Sequence, residues 1–197
     1  MVSKVPPEKP PSGFKSRTLP IETFFAGSQL LRIHQSIHGA LYFGRSGDYR
    51  FDSPNGTYGV CYTGMTAEAC FVETCLTQVG ATLVSATFLD ARELSFIDVK
   101  EDLSLVMLHG TGLAPMGATS IVSAGPYDIS QAWAEAIHDH PGNHDGIIYR
   151  TSHDDDEFGV AIFERSKHKV NQGSGIGLMK DARTIASLLN RYGVGLT

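Results

Sequence analysis

One short stretch of the sequence passes from a strand pattern directly into a helix pattern. Residues 58–63 are rich in Val and Tyr, as strands are, and Gly64 ends the run. Thr66 then predicts a helix over residues 67–78, because a threonine hydroxyl can accept hydrogen bonds from the free amides of a first helical turn. The short connection requires the helix to begin beside the end of the strand.

Glu73 falls in the middle of this predicted helix. The three-and-four spacing of a helix places it on the face of Ala69 and Cys70, whose small side chains indicate an inward face. A carboxylate turned inward loses hydration and needs partners that compensate for the loss. Glu73 is therefore the first candidate for a functional residue, and the alternative is a structural glutamate with neutral partners.

The remaining strand and helix patterns are grouped irregularly along the chain. Strands are predicted at residues 29–33, 82–89, 94–99, 146–149 and 159–163, and helices at 102–108, 130–138 and 181–189. Because strands do not alternate strictly with helices, an α+β fold is favoured over a doubly wound sheet. Four prolines between Pro6 and Pro11 predict that residues 1–20 form an arm, which leaves residues 21–197 as a single domain.

Composition argues against several classes of protein. Sixteen basic and 21 acidic side chains give a net charge of -5, so no broad basic surface is expected and nucleic acid is not a predicted partner. Three cysteines without CxxC spacing argue against a disulfide scaffold or a zinc site. No run reaches the roughly 18 apolar residues of a membrane span, and we expect a cytoplasmic protein that does not bind membranes.

A polar cluster at residues 138–145 contains three histidines and two aspartates. These side-chain types can ligate zinc or a similar ion. Their spacing matches no specific zinc motif, and a solvated helix end explains them equally well. We predict no metal site.

Five short motifs follow one another in a characteristic order. They are LLRI at 30–33, YRFD at 49–52, YGVCYT at 58–63, TAEACFVET at 66–74 and DGIIYRTS at 145–152. Together they resemble the RES-domain family, over about residues 29–164. The resemblance implies a fold similar to that of the ADP-ribosyltransferase toxins, in which a central split or mixed β-sheet is flanked by helices.

The resemblance also implies an activity and a partner. It suggests an enzyme that cleaves the nicotinamide–ribose bond of NAD by phosphorolysis or hydrolysis, and that is the toxin of a pair neutralised by an Xre-type antitoxin. NAD is then the substrate, inorganic phosphate a candidate co-substrate, and no bound cofactor is expected. Two alternatives stay open: a mono-ADP-ribosyltransferase that modifies a protein target, and a non-catalytic module that binds NAD or a partner. Self-association into a homo-oligomer is left open.

Five residues match the functional positions of the family. The resemblance implies catalytic roles for Arg32, Glu73 and Ser152 and substrate binding by Arg50 and Tyr62. Tyr58 is a further candidate for substrate binding, and the alternative is that Tyr58 and Tyr62 form one packed face of a strand. The residue types suit the chemistry, because guanidinium groups bind phosphate oxygens and a carboxylate stabilises a cationic ribose. Arg45 remains an alternative to Arg50, and Thr151 an alternative to Ser152 as the source of the hydroxyl.

Overall fold

A mixed β-sheet of eight strands forms the centre of the molecule in a computed structural model that describes residues 9–78 and 80–197. The strands, in chain order, are β1 (Ile21–Phe24), β2 (Gln29–Gln35), β3 (Val60–Gly64), β4 (Leu83–Val84), β5 (Arg92–Val99), β6 (Leu103–Met107), β7 (Gly146–Arg150), β8 (Phe158–Phe163), β9 (Val170–Gly177) and β10 (Gly195–Leu196). The order across the sheet is β1-β6-β7-β8-β3-β2-β5-β9, and β6–β7 is its parallel pair. Strands β4 and β10 form a separate parallel pair.

The helices cover one face of this sheet. They are α1 (Ala67–Cys75), α2 (Ala86–Asp90), α3 (Leu113–Met116), α4 (Ile121–Ala124), α5 (Tyr127–His138) and α6 (Ala182–Arg191). Helix α5 packs on one half of the face through the buried side chains of Trp133 and Ile137. Helices α1 and α6 pack on the other half through Phe71 and Leu188. Within the described part of the chain, no helix is both long and apolar enough to cross a membrane.

On the opposite face of the sheet, side chains from its two ends pack against each other. Leu103 and Leu105 of β6 share one buried cluster with Ile97 and Val99 of β5, although these strands lie near opposite edges of the sheet. The two ends of the sheet can meet only if it is strongly curled, as the twist of β-strands allows. The domain is therefore a single curled mixed sheet flanked by helices, as the α+β prediction required.

Helix α1 lies very close to the sheet. The predicted cap is present, since the Thr66 hydroxyl accepts a hydrogen bond from the amide of Ala69 at 2.9 Å. The Cys70 thiol donates to the carbonyl of Leu31 at 3.1 Å, and a Cβ on Gly64 would lie 2.9 Å from the Cβ of Ala69. Gly64 is needed there because a larger residue would push the helix away from the sheet.

Two predicted elements are wrong. The strand predicted at residues 82–89 is a strand only at Leu83–Val84, because the Ser85 hydroxyl caps the following helix α2. The helix predicted at residues 102–108 is strand β6, inserted between β1 and β7. An apolar run this short is compatible with either a helix or a strand, and pairing with the neighbouring strands makes it a strand.

Part of the predicted N-terminal arm packs on the domain. Residues 1–8 lie outside the described residues. Phe14 and Leu19 are buried, and the Phe14 ring meets Trp133 edge-to-face with 5.4 Å between centroids. The side chains of Phe14 and Leu19 therefore contribute to the core of the domain.

Asp145, just before β7, joins three parts of the fold. Its carboxylate accepts hydrogen bonds from the Ser166 hydroxyl at 2.6 Å, from the Ser104 amide at 2.7 Å and from the Lys169 ammonium at 2.9 Å. Burial alone would raise the pKa of Asp145, but these donors lower it below its usual value. The ionised carboxylate is therefore the form that the fold requires.

We expect Asp145→Asn to lower the free energy of unfolding by about 3 kcal/mol near pH 7, because it leaves Lys169 without its buried partner. A lowered folded-state pKa gives stability that is present above the unfolded-state pKa and lost as pH falls through the folded value. The variant should therefore lose less stability than the wild type during acidification. Urea unfolding between pH 3 and 7 would measure this, with the exposed Asp90→Asn as control; equal acid sensitivity of wild type and Asp145→Asn would contradict it.

Candidate active site

Glu73 lies where helix α1 faces the end of β7. Its half-buried carboxylate accepts two hydrogen bonds, from the Tyr149 hydroxyl to Oε2 at 3.3 Å and from the Ser152 backbone amide to Oε1 at 3.1 Å. Two donors on separate oxygens fix the orientation of the carboxylate and compensate for its partial burial. The helix thus turns Glu73 inward, onto the same face as Ala69 and Cys70.

Tyr149 is the buried support of this carboxylate. Burial and the neighbouring charge of Glu73 raise its pKa well above the usual value, so the hydroxyl remains a donor at neutral pH. Phe51 packs against the ring with 4.7 Å between centroids. A side chain on Gly159 would overlap the tyrosine ring, so this glycine provides the space in which Tyr149 lies.

Ser152 connects Glu73 to Arg50. Its amide binds Glu73, and its exposed hydroxyl accepts a hydrogen bond from Arg50 Nη2 at 3.3 Å. The Thr151 hydroxyl is buried and donates to the carbonyl of Asp154 at 2.6 Å. Of the two neighbouring hydroxyls, that of Ser152 is therefore the one that faces the site.

The loop that carries Ser152 is held from behind by the C-terminal helix. Arg191, at the end of α6, bonds to the carboxylates of Asp154 and Glu157, both at 3.0 Å. Tyr192 also donates to Asp154 at 2.8 Å, and the Thr66 hydroxyl donates to Glu157. The loop is consequently tied to the last helix and to the start of α1.

Arg50 spans the space between this loop and helix α5. Its Nη1 donates to the carbonyl of Gly125 at 2.7 Å and to the Ser130 hydroxyl at 3.4 Å. Its guanidinium carbon lies 4.7 Å from the ring centre of Tyr127, a cation–π contact. These contacts hold the guanidinium rigidly and leave its Nη2 edge directed toward Ser152.

Tyr62 and Asp52 hold the loop on which Arg50 lies. The Tyr62 hydroxyl donates to the buried carboxylate of Asp52 at 2.9 Å and accepts from the amide of Phe51 at 2.9 Å. Burial, together with the charge of Asp52, raises the pKa of Tyr62 well above its usual value. The exposed ring of Tyr49 lies 5.9 Å, centroid to centroid, from that of Tyr62.

Two of the predicted site residues lie elsewhere. Arg32 is directed to the opposite sheet face from Glu73. Its Nη1 donates to the carbonyls of Ala40 and Tyr42 and to the thiol of Cys61, at 2.8, 2.9 and 2.9 Å. Tyr58 is only 3% exposed and belongs to the α5 side of the core. These positions argue against a substrate contact by either side chain, because strand alternation points Arg32 away and packing covers Tyr58.

The other polar candidates have structural partners. Arg45 forms an ion pair with Glu164, outside the Glu73 group. The histidines of the 138–145 cluster each contact the fold: His138 stacks on Tyr58 at 4.1 Å, His140 Nε2 bonds to the Arg17 carbonyl and His144 Nδ1 to the Ser104 hydroxyl. Among the residues that the structure describes, no group of three or more His, Cys, Asp or Glu side chains is arranged to hold a metal ion.

Comparison with known proteins places this chain in a family. The family model of the RES domain matches residues 29–176, most of the chain. The chain belongs to the RES domain family. A solved structure, the MbcT–MbcA toxin–antitoxin complex of M. tuberculosis, contains a chain with a similar fold, with a TM-score of 0.65 and 17% sequence identity. The structural match covers 85% of this RES domain protein and 92% of that chain. No curated protein sequence matches.

We expect Tyr62→Phe to loosen the Arg50 loop without removing the aromatic ring. The change deletes the acceptor of the Phe51 amide and the donor to buried Asp52, which should lower the free energy of unfolding by about 1–3 kcal/mol. Amide exchange at Phe51 should accelerate at least about tenfold. Tyr42→Phe, at an exposed ring, is the control, and unchanged protection of the Phe51 amide in Tyr62→Phe would contradict the assignment.

Proposed function

We propose that this protein cleaves the bond between nicotinamide and ribose in NAD, by phosphorolysis or hydrolysis, as the toxin of a toxin–antitoxin pair. The observation that carries the proposal is the Glu73 carboxylate, oriented by Tyr149 and the Ser152 amide, with Arg50 bound to the same serine. Family membership supports it, as does the fold shared with a chain of a toxin–antitoxin complex. An Xre-type antitoxin is the corresponding partner.

Glu73 supplies the charge that this reaction needs. As nicotinamide leaves, the bonding electrons go with it and positive charge develops on the ribose, where a nearby carboxylate stabilises the oxocarbenium-like transition state. Nicotinamide leaves a pyridinium as a neutral molecule and needs no proton, so a second carboxyl group is not required. The two donors on Glu73 hold it in place before the reaction, which avoids reorganisation during bond cleavage.

Arg50 and Ser152 are suited to the diphosphate of NAD. The Gly125 and Ser130 contacts occupy Nη1 of Arg50, whereas the Nη2 edge faces the exposed Ser152 hydroxyl. A guanidinium edge and a hydroxyl together match two phosphate oxygens. Tyr62 supports this contact through the loop that carries Arg50, since its hydroxyl bonds to Asp52 and to the Phe51 amide.

Incubation of the purified protein with NAD, with and without inorganic phosphate, tests the reaction and identifies the acceptor. Water as acceptor gives ADP-ribose and a proton, and phosphate gives the phosphorylated ADP-ribose. Labelled ADP-ribose on a protein would instead indicate transfer to a target. NAD that stays intact for hours in phosphate buffer would refute the enzymatic proposal.

We expect Glu73→Gln to reduce the rate of NAD cleavage by a factor on the order of 10²–10³, because it removes the charge while keeping the size and shape of the side chain. NAD binding and the thermal midpoint should change little. Glu68→Gln, on the same helix, is the matched control and should retain turnover near that of the wild type. A folded Glu73→Gln protein that cleaves NAD at the wild-type rate would remove the basis of the mechanism.

Arg50→Ala should raise KM about tenfold and lower kcat less, because the charge of the arginine does not change during bond cleavage. Arg32→Ala should instead lower the thermal midpoint, since it leaves the Ala40 and Tyr42 carbonyls without their donor. Steady-state kinetics and thermal unfolding of both variants would separate the two roles. A raised KM in Arg32→Ala at unchanged stability would restore Arg32 to the substrate site.

A further inference from the structure

The peptide groups on both sides of Arg50 are held by side chains from two different elements. Arg50 lies in the connection between β2 and β3. The Tyr62 hydroxyl of β3 accepts a hydrogen bond from the Phe51 amide, which belongs to the peptide group that follows Arg50. Gln131 of helix α5 donates from Nε2 to the carbonyl of Tyr49 at 3.0 Å, and this carbonyl belongs to the peptide group that precedes Arg50. Because each peptide group is planar, two fixed groups also fix the direction in which the arginine side chain leaves the backbone.

The Gln131 amide group is fully engaged by the loop that carries Arg50. Its Nε2 also donates to the carbonyl of Gly47 at 2.8 Å, so both hydrogens of the amide nitrogen are used. Carbonyl oxygens only accept hydrogen bonds, and they therefore determine which way the amide group is turned. One half-buried side chain thus connects two points of the loop to helix α5.

The guanidinium of Arg50 is attached to the same side of α5. Tyr127, Ser130 and Gln131 follow the three-and-four spacing of neighbours on one helix face. Tyr127 contacts the guanidinium through its ring at 4.7 Å, and Ser130 contacts it through its hydroxyl. The backbone and the head group of Arg50 are therefore both held by one helix.

The contact between Arg50 and Ser152 is the one most sensitive to the position of the loop. The distance from Nη2 to the Ser152 hydroxyl is 3.3 Å, whereas Nη1 lies 2.7 Å from the carbonyl of Gly125. A hydrogen bond at the longer distance is at the edge of the usual range, so a small backbone shift would break it first. The guanidinium would then stay on α5 while its Nη2 edge turned away from Ser152.

We propose that Gln131 is a positioning residue for Arg50 and, through Arg50, for the diphosphate of NAD. The inference rests on the proposed function. Both donors of Gln131 are occupied by backbone carbonyls, so it acts on the substrate through the arginine and not by contact. Loss of its amide group should therefore weaken the binding of NAD without removing any group that the proposed reaction uses.

Gln131→Met keeps the length of the side chain and removes both donors. We expect it to raise KM for NAD about fivefold and to leave kcat within about twofold, because the arginine binds the ground state and the transition state equally. Gln172→Met is the matched control and should leave KM unchanged, since the Gln172 side chain accepts the Ala40 amide at 2.9 Å, in the part of the β2–β3 connection that contacts Arg32. Thermal midpoints identify folded variants, and Gln131→Ala replaces Gln131→Met if the latter misfolds. An unchanged KM in both Gln131 variants would overturn the inference.

A double-mutant cycle with Arg50→Ala separates positioning from a general loss of stability. In the Arg50→Ala background, Gln131→Met should change KM by less than about twofold, because no guanidinium remains to be positioned. A purely structural glutamine would instead raise KM by the same factor in both backgrounds. That result would overturn the inference while NAD cleavage stands.

ADP-ribose gives the same cycle without turnover, because it carries the diphosphate but has no nicotinamide to lose. Calorimetry should show that Gln131→Met weakens ADP-ribose binding in the wild type and has little further effect in Arg50→Ala. If the wild type cleaves NAD, the kinetic cycle decides the inference. If it cleaves no NAD, a non-additive loss of ADP-ribose affinity would refute the proposed function and leave the role of Gln131 intact. Absence of ADP-ribose binding at millimolar concentration would then refute both.

Discussion

The close contact between helix α1 and strands β2 and β3 determines where the carboxylate of Glu73 lies. Gly64 removes the side chain that would separate them, and the Cys70 thiol bonds to the Leu31 carbonyl across the contact. Glu73 extends from the next turn of the same helix and reaches Tyr149 on the sheet. A displacement of the helix by about an ångström would break that hydrogen bond and misplace the charge. The position of the Glu73 charge thus depends on the close packing at Gly64.

Ser152 combines the two halves of the proposed chemistry in one residue. Its backbone amide orients the carboxylate that would stabilise the ribose cation, and its hydroxyl meets the guanidinium that would hold the diphosphate. A backbone donor keeps its position whatever the side chain does, whereas the hydroxyl is free to rotate toward a ligand. In the proposed mechanism, different atoms of this residue would contact the substrate and orient Glu73, and substitution of the side chain would remove the first contact while leaving the second.

The sequence predicted the elements that local chemistry defines and missed those defined by distant partners. Thr66 as a cap and the inward face of Glu73 follow from helix spacing, and the structure has both. Strand β6 was predicted as a helix because its pattern is short and only its neighbours β1 and β7 decide its state. Within the site, Tyr149 and Asp52 lie inside the family motifs, but no local pattern predicts their roles, because these depend on contacts with Glu73 and Tyr62 in other segments. Arg32 lies in the first motif, but strand alternation places its side chain on the opposite sheet face from Glu73.

The attachment of the Ser152 loop to Arg191 and Tyr192 has a consequence for cooperativity. Chain ends commonly fray, because few contacts oppose their opening. Here, the last helix shares hydrogen bonds with the segment that orients Glu73, and both also connect to the beginning of α1 through Glu157. Detachment of α6 would free that segment and hydrate the carboxylate in the same event. Amide protection of the final helix and catalytic competence are therefore properties of a single local unfolding unit.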